Sequence, residues 1–432
     1  MNRIILIGNG FDLAHGLKTS YADFIDWYWG EWKKRLLHSN SRLEEDGLVS
    51  FKLNDNDSEI NWASIWDWYI KIKDPYKPWK NKEILEFAKS NKEWSDVVVT
   101  SPILEELCKQ LNDRKWVDIE NVFFRHLSNE NEKPEKVNFE LSVIRNRLID
   151  YLNEIQNTAP KELFKEQIQK MMLAPFDKRD FAIATKNIWY DMLEQRIRYK
   201  REQWGEIIAS YSYSYGENQE NGYREVIGFL SSVIGSILPK GVKSIDDKRI
   251  PKDFLLADRI LLLNFNYTNV ADSYLPGVER FGVNHIHGEL SNPKSVIFGY
   301  GDEMDENYKK LSNKNDNEYL NNIKSIKYLE SPNYRNLLDF IESDTYQIYI
   351  MGHSCGNSDR TLLNTMFEHK NCVSIKPFYY IRENGTDNYM ELVQNISRNF
   401  TDMKLMRDRV VNKTFCEAYS DAREVDSEAQ DN

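Results

Sequence analysis

The sequence predicts an α/β protein, a mostly parallel sheet interrupted by a large helical insertion, and three observations carry that prediction. Residues 3–7 are β-branched or large and apolar, and they stop at Gly8-Asn9-Gly10, as the first strand of a buried parallel sheet does. Helical periodicity dominates from about Ser39 to Lys252. Strand-like runs then return at 259–266, 283–287, 295–298, 346–351 and 373–381, separated by helical or polar segments; such alternation builds a parallel sheet covered on both faces. The expected organisation is a discontinuous α/β core over 1–38 and 253–416, a helical insertion over 39–252, and an acidic flexible tail over 417–432.

After the first strand, Ser20-x-x-Asp23 resembles a capping box, and Tyr21, Ile25, Tyr28, Trp32 and Leu36 recur behind it at helical spacing, which predicts a helix of roughly four turns. Within the insertion, Trp62, Trp66 and Tyr69 share one helical face, and 135–155, 161–172, 188–209 and 223–238 read as amphipathic helices. Residues 54–58 and 128–134 are polar loops, and 211–222 is irregular. The Trp stripes (Trp27, Trp29, Trp32; Trp62, Trp66, Trp68) are expected to pack in cores rather than to stack bases.

Composition narrows the function classes. At 432 residues the chain has room for two or three domain-sized units, and 41% hydrophobic with 13% aromatic residues excludes a disordered chain. A net charge of -11 argues against broad wrapping of nucleic acid or an anionic membrane. Cys108, Cys355, Cys372 and Cys416 form no Cys-x-x-Cys pair, which argues against a disulfide framework and a Cys-rich zinc module. The opening apolar run is too short for a secretory or spanning segment, so the expectation is a cytoplasmic protein.

Four short motifs carry chemistry. Gly8-Asn9-Gly10-Phe11-Asp12 follows a strand, where glycines let backbone approach a phosphate. Asn264-Phe265-Asn266-Tyr267-Thr268 ends another strand; its amides either orient a sugar or water, or satisfy turn backbone. His285-Ile286-His287-Gly288 ends a third: residues two apart share a strand face, so one imidazole can act as base with the other in support. With Asp302, His353 and Asp359 the same histidines could also ligate a metal. Gly352-His353-Ser354-Cys355-Gly356 matches G-x-S-x-G, but the only later histidine, His369, is badly spaced for a triad, and a phosphate or ribose contact from Gly352 and Ser354 is preferred. Trp116-x-Asp118-x-Glu120 places two carboxylates near a Trp, either lining a site or starting a helix.

Together with Tyr21-Ala-Asp-Phe24 and Ile297-Phe-Gly299, these motifs closely resemble the AbiH family of bacteriophage abortive infection proteins, from residue 1 to about 370. More distantly, the skeleton is similar to the Rossmann-like, sirtuin-like NAD-binding fold. That likeness implies that Gly8 to Gly10 cradle a pyrophosphate, Asn266 contacts the nicotinamide ribose, and His287 is the general base. Thr268 stands where that fold usually has an acidic residue. The zinc-binding cysteine quartet of protein deacylases is missing, which favours simple NAD hydrolysis. The expected site is therefore catalytic His287 and Asn266, with Gly8, Asn9, Gly10, Asp12, Thr268, Gly288, Gly299, Gly352, Ser354 and Asp359 binding the nucleotide, NAD as substrate and no metal. The expected partners are NAD or a related nucleotide and a phage-derived trigger, without a membrane; a homo-oligomer is compatible. The competing readings are a non-catalytic nucleotide-binding sensor or interaction protein and a metal-dependent nuclease.

Overall fold

The computed structural model describes residues 1–54, 61–72, 86, 89–90, 92, 94–112, 118–158, 165–214, 250, 252–274 and 279–421. Its strands are β1 (Asn2–Ile7), β2 (Leu43–Glu45), β3 (Val49–Leu53), β4 (Ser95–Val99), β5 (Ile260–Asn264), β6 (Phe281–His285), β7 (Tyr346–Met351), β8 (Cys372–Ile381) and β9 (Ala418–Asp421). The helices are α1 (Asn9–Ala14), α2 (Tyr21–His38), α3 (Trp62–Ile72), α4 (Pro102–Asn112), α5 (Ile119–Leu127), α6 (Pro134–Gln156), α7 (Lys165–Met172) and α8 (Lys186–Ser214). After β6 come α9 (Glu306–Ser312), α10 (Lys324–Lys327), α11 (Asn333–Ser343), α12 (Arg360–Phe367), α13 (Tyr389–Arg398) and α14 (Met403–Arg409).

Six strands form one sheet in the order β6-β5-β1-β7-β8-β9, and every neighbouring pair is parallel. Chain order reverses at β1: the strands that follow extend first to β5 and β6 on one side, then to β7, β8 and β9 on the other. Burial on both faces explains why β1 and β7 are apolar nearly throughout. Ile4, Leu6, Leu263, Ile348 and Ile350 face Leu337 and Phe340 of α11, Leu362 and Met366 of α12 and Ile396 of α13. On the other face Ile5, Ile7, Leu262 and Met351 meet Ile168 and Met172 of α7 and Trp189 and Leu193 of α8. Arg3 fastens that layer: its guanidinium donates to the Met172 and Ala174 carbonyls (2.9 and 2.7 Å) and lies over the Tyr349 ring.

The hydrophobic clusters divide the chain differently from the boundaries read in the sequence. α7 and α8, placed in the insertion, cover the sheet, whereas α2, placed in the core, packs with β3, α3, α4, α5 and α6 in a second cluster through Phe24, Tyr28, Trp29, Trp32, Phe51, Trp62, Phe123 and Leu141. That second unit is not wholly helical, because β2, β3 and β4 form a small antiparallel sheet within it. Segment 295–298 belongs to no named strand; the Ile297 N–H donates to the His287 carbonyl (2.9 Å) and the Ser295 N–H to the Asn292 carbonyl (2.8 Å). The tail expected to be flexible begins with β9, which pairs with β8, and the Tyr419 hydroxyl donates to the Gly10 carbonyl (2.9 Å). Helix α8 continues to Ser214 through part of the stretch read as irregular. The helix expected at 223–238, loop residues 55–58 and Trp116 lie outside the described residues, as does the side chain of Trp68. No described helix is long and apolar enough to cross a membrane.

Candidate active site

The chemistry-bearing motifs gather along the carboxyl edge of the sheet. The loops after β1 and β7 pack backbone to backbone: the Gly10 N–H donates to the Gly352 carbonyl (2.9 Å), and a Cβ on Gly8 would lie 2.5 Å from His353 Cα. At Gly352, where φ is +77°, a Cβ would overlap the Phe11 amide. The close approach these glycines permit is therefore between the two loops.

Asn264 and Asn266 leave β5 next to that junction. Asn264 is buried; its Oδ1 accepts the Asn266 N–H (3.0 Å) and its Nδ2 donates to the Thr268 carbonyl (3.1 Å), so this amide satisfies the turn. Asn266 is half-buried and donates to the Gly8 carbonyl (3.0 Å), tying the β5 exit to the β1 exit. Asp12, in α1, is buried and accepts the Thr268 hydroxyl on Oδ2 (2.6 Å), while its Oδ1 has no partner among the described residues. Burial pushes its carboxyl up to about 7 against the pull of Thr268 and Asn266. Asn9 opens α1 and is partly exposed.

His287 and Asp359 meet although they follow β6 and β7, three strand spacings or about 14 Å apart in the sheet. Their loops must fold over the ends of β5 and β1 to bring His287 Nε2 within 3.2 Å of Asp359 Oδ1 and 3.1 Å of the Tyr328 hydroxyl. Gly288, at φ +81°, makes the turn behind the imidazole, and a Cβ there would overlap Ser295. Asp359 precedes α12 and is ringed by donors. Its Oδ1 also accepts Lys324 Nζ (2.8 Å), and its Oδ2 faces His353 Nε2 at 3.6 Å. The Cys355 N–H donates to His353 Nδ1 (3.0 Å), which leaves that ring's proton on Nε2. Phe265 packs on both imidazoles, with ring centroids 5.2 Å from His287 and 4.0 Å from His353.

Lys324, fully buried, reaches a second carboxylate, Glu120 Oε2, at 2.7 Å. The other oxygen of Glu120 accepts the Gly299 N–H (3.3 Å), and a Cβ on Gly299 would overlap the Asn322 carbonyl. Burial pushes the Asp359 carboxyl up, but Lys324 and His287 outweigh it and hold the group well below the usual carboxylate range. Burial wins at Glu120, which rises to about 7 despite Lys324. Burial, reinforced by the Lys324 charge, lowers His287, so its imidazole is neutral at pH 7. A neutral imidazole whose Nε2–H is held by a carboxylate presents its other nitrogen as a base.

Comparison with known families matches residues 4–380 to the one described as Bacteriophage abortive infection AbiH. The chain belongs to the AbiH family. No curated protein and no solved structure matches it.

In this AbiH chain the two histidines of the His-x-His motif part company. β6 ends at His285, which faces Asp272 (3.2 Å) and Asn264 (3.3 Å), while His287 lies in the turn beyond; the alternation invoked for mutual support stops before it applies. Asp302 pairs with Arg360 (3.2 Å), and no group of three or more His, Cys, Asp or Glu among the described residues is arranged to hold a metal ion. Ser354 is exposed, and the left-handed residue of its turn is Cys355 rather than the serine. His369 pairs with Glu342 and stacks on Tyr346 at the start of β7, the opposite end of that strand from Ser354, so no serine triad is assembled. Asp118 caps α5, accepting the Asn121 N–H (3.1 Å). Sequence reasoning missed Lys324 and Tyr328, whose surrounding pattern is that of an ordinary surface turn.

Proposed function

We propose that this AbiH-family protein aborts phage infection by hydrolysing NAD to nicotinamide and ADP-ribose, emptying the infected cell of NAD. The family itself supports the anti-phage abortive-infection role. The observation that carries the NAD reading is the His287–Asp359 pair folded over the ends of β5 and β1. Renumbered by chain order, the sheet runs 3-2-1-4-5-6, the order of the doubly wound dinucleotide-binding folds, and ligands of such sheets sit outside the carboxyl ends where the order reverses. The resemblance of the motifs to sirtuin-like NAD-binding folds points the same way.

Cleavage of the nicotinamide–ribose bond passes through an oxocarbenium-like state: the bonding pair leaves with nicotinamide, water attacks the sugar carbon, and one proton is released. His287 takes that proton from the water or a ribose hydroxyl, with Asp359 fixing the ring and stabilising the imidazolium that forms. Asn266 orients the ribose or the water. Asp12, Thr268, Gly288, Gly299, Gly352 and Ser354, with the Gly8–Gly10 turn, shape the nucleotide's surroundings. Incubation of purified protein with NAD should release nicotinamide and ADP-ribose in equal amounts, and His287→Ala should abolish the release. Binding of ADP-ribose without any nicotinamide release would instead identify a non-catalytic nucleotide sensor.

A further inference from the structure

We propose that Glu120 and Lys324 are positioning residues for the Asp359–His287 pair, so that the seating of α5 against the sheet edge sets whether the site is competent. The proposal rests on the reading of His287 as the reactive base.

Lys324 bridges two carboxylates that belong to different packing units. Asp359 stands on the sheet, before α12, whose apolar side chains join the sheet cluster. Glu120 stands in the first turn of α5, whose Ile119, Val122 and Phe123 belong to the cluster built by α2, α4 and α6. Lys324 Nζ is held from both sides, by Glu120 Oε2 at 2.7 Å and Asp359 Oδ1 at 2.8 Å, so loss of either carboxylate leaves the ammonium free to shift towards the other. The same oxygen of Asp359 accepts both Lys324 Nζ (2.8 Å) and His287 Nε2 (3.2 Å), so the position of the lysine fixes that oxygen and the imidazole with it. Tyr21, Tyr267, Tyr328, Asp118, His353 and Cys355 also lie around the cluster.

The cluster that contains α5 also takes in Val296, Phe298 and Tyr300 from the segment after β6, and Asn138 of α6 bonds the Glu318 carbonyl (2.7 Å) and Asn322 (2.9 Å). Phe124 of α5 stacks on Tyr300 with ring centroids 3.8 Å apart, and the Gly299 N–H holds the far oxygen of Glu120. Withdrawal of α5 by even one bond length removes Glu120 from the lysine. Lys324 is then held by Asp359 alone, and the carboxylate oxygen that it shares with the imidazole loses its fixed position. A ligand that moves the second unit thereby changes His287 without touching it.

The test uses the full chain with Glu120→Gln and Glu120→Ala, measured beside His287→Ala for nicotinamide release, thermal midpoint and phage plaquing. Glu120→Gln should lower kcat by about 10-fold and Glu120→Ala by about 100-fold, with KM for NAD within about 2-fold. Plaquing should rise towards that of the His287→Ala strain at temperatures well below the midpoint of either variant. Should Glu120→Gln be insoluble, the double change Glu120→Gln with Lys324→Met removes both charges and should fold yet fail to protect. Full kcat and protection in either folded variant, with only the midpoint altered, would overturn the proposal. Should the wild type release no nicotinamide, the NAD reading fails by itself, and protection by folded Glu120→Gln still decides the positioning role.

Discussion

Asn264 and Asn266 sit two residues apart at the exit of β5, and their hydrogen bonds give them different tasks. Asn264 holds the Asn266 N–H and the Thr268 carbonyl, so Asn264→Ala strands buried backbone groups and should cost about 1–3 kcal/mol, read as a lower thermal midpoint. Asn266→Ala should leave the midpoint near wild type and lower nicotinamide release by about 100-fold; a catalytic loss confined to Asn264→Ala would reverse the assignment. Asp12 supplies a pH test. Its folded-state value of about 7 lies above the ordinary 3.8, so the native protein holds a proton that the unfolded chain releases between those values. Stability from this group is therefore present at low pH, falls as pH rises across that window and is level above about 7. Asp12→Asn removes the effect, and its midpoint should fall less than that of wild type between about pH 5 and about pH 8; parallel curves would contradict it. The sequence singles out His287 as a histidine before glycine near a strand exit, and the structure places it beside Asp359. Lys324 was not, because its burial depends on carboxylates 204 and 35 positions away.

At the scale of elements, β1, β7 and β8 could be read from their mostly apolar, β-branched and aromatic runs, and α2 from its cap, where Ser20 accepts the Asp23 N–H as the spacing required. β2 to β4 could not, because short antiparallel strands in a region of helical periodicity leave no longer pattern to compete with it. The end of β6 was misjudged by two residues, and with it the shared face of His285 and His287. The glycine loops were read as phosphate cradles, yet Gly352 is required by the loop after β1: a side chain there meets Phe11 from a left-handed backbone. Gly352→Ala should destabilise the protein by at least about 1–3 kcal/mol and reduce its soluble yield. A variant with the wild-type midpoint would mean that the two loops can separate, reopening the space between them to a ligand.

Across the whole molecule, the alternation of strands and helices was sufficient to foresee a parallel sheet with two covered faces, but not which helices cover it. α7 and α8 lie in the stretch of helical periodicity well before β5, and the packing of Trp189, Leu193 and Met172 with Ile5 and Leu262 assigns them to the sheet. The same packing leaves α2 through α6 in a second cluster, which reaches the carboxyl edge of the sheet with Glu120 and also packs on Val296, Phe298 and Tyr300. The most direct measurement is the NAD content of bacteria through infection by a phage that the wild-type protein restricts, with His287→Ala expressed to the same level as the comparison. NAD should collapse before lysis in the wild-type strain, and neither the collapse nor the protection should occur with His287→Ala; protection with NAD undiminished, or protection retained by His287→Ala, would contradict the account.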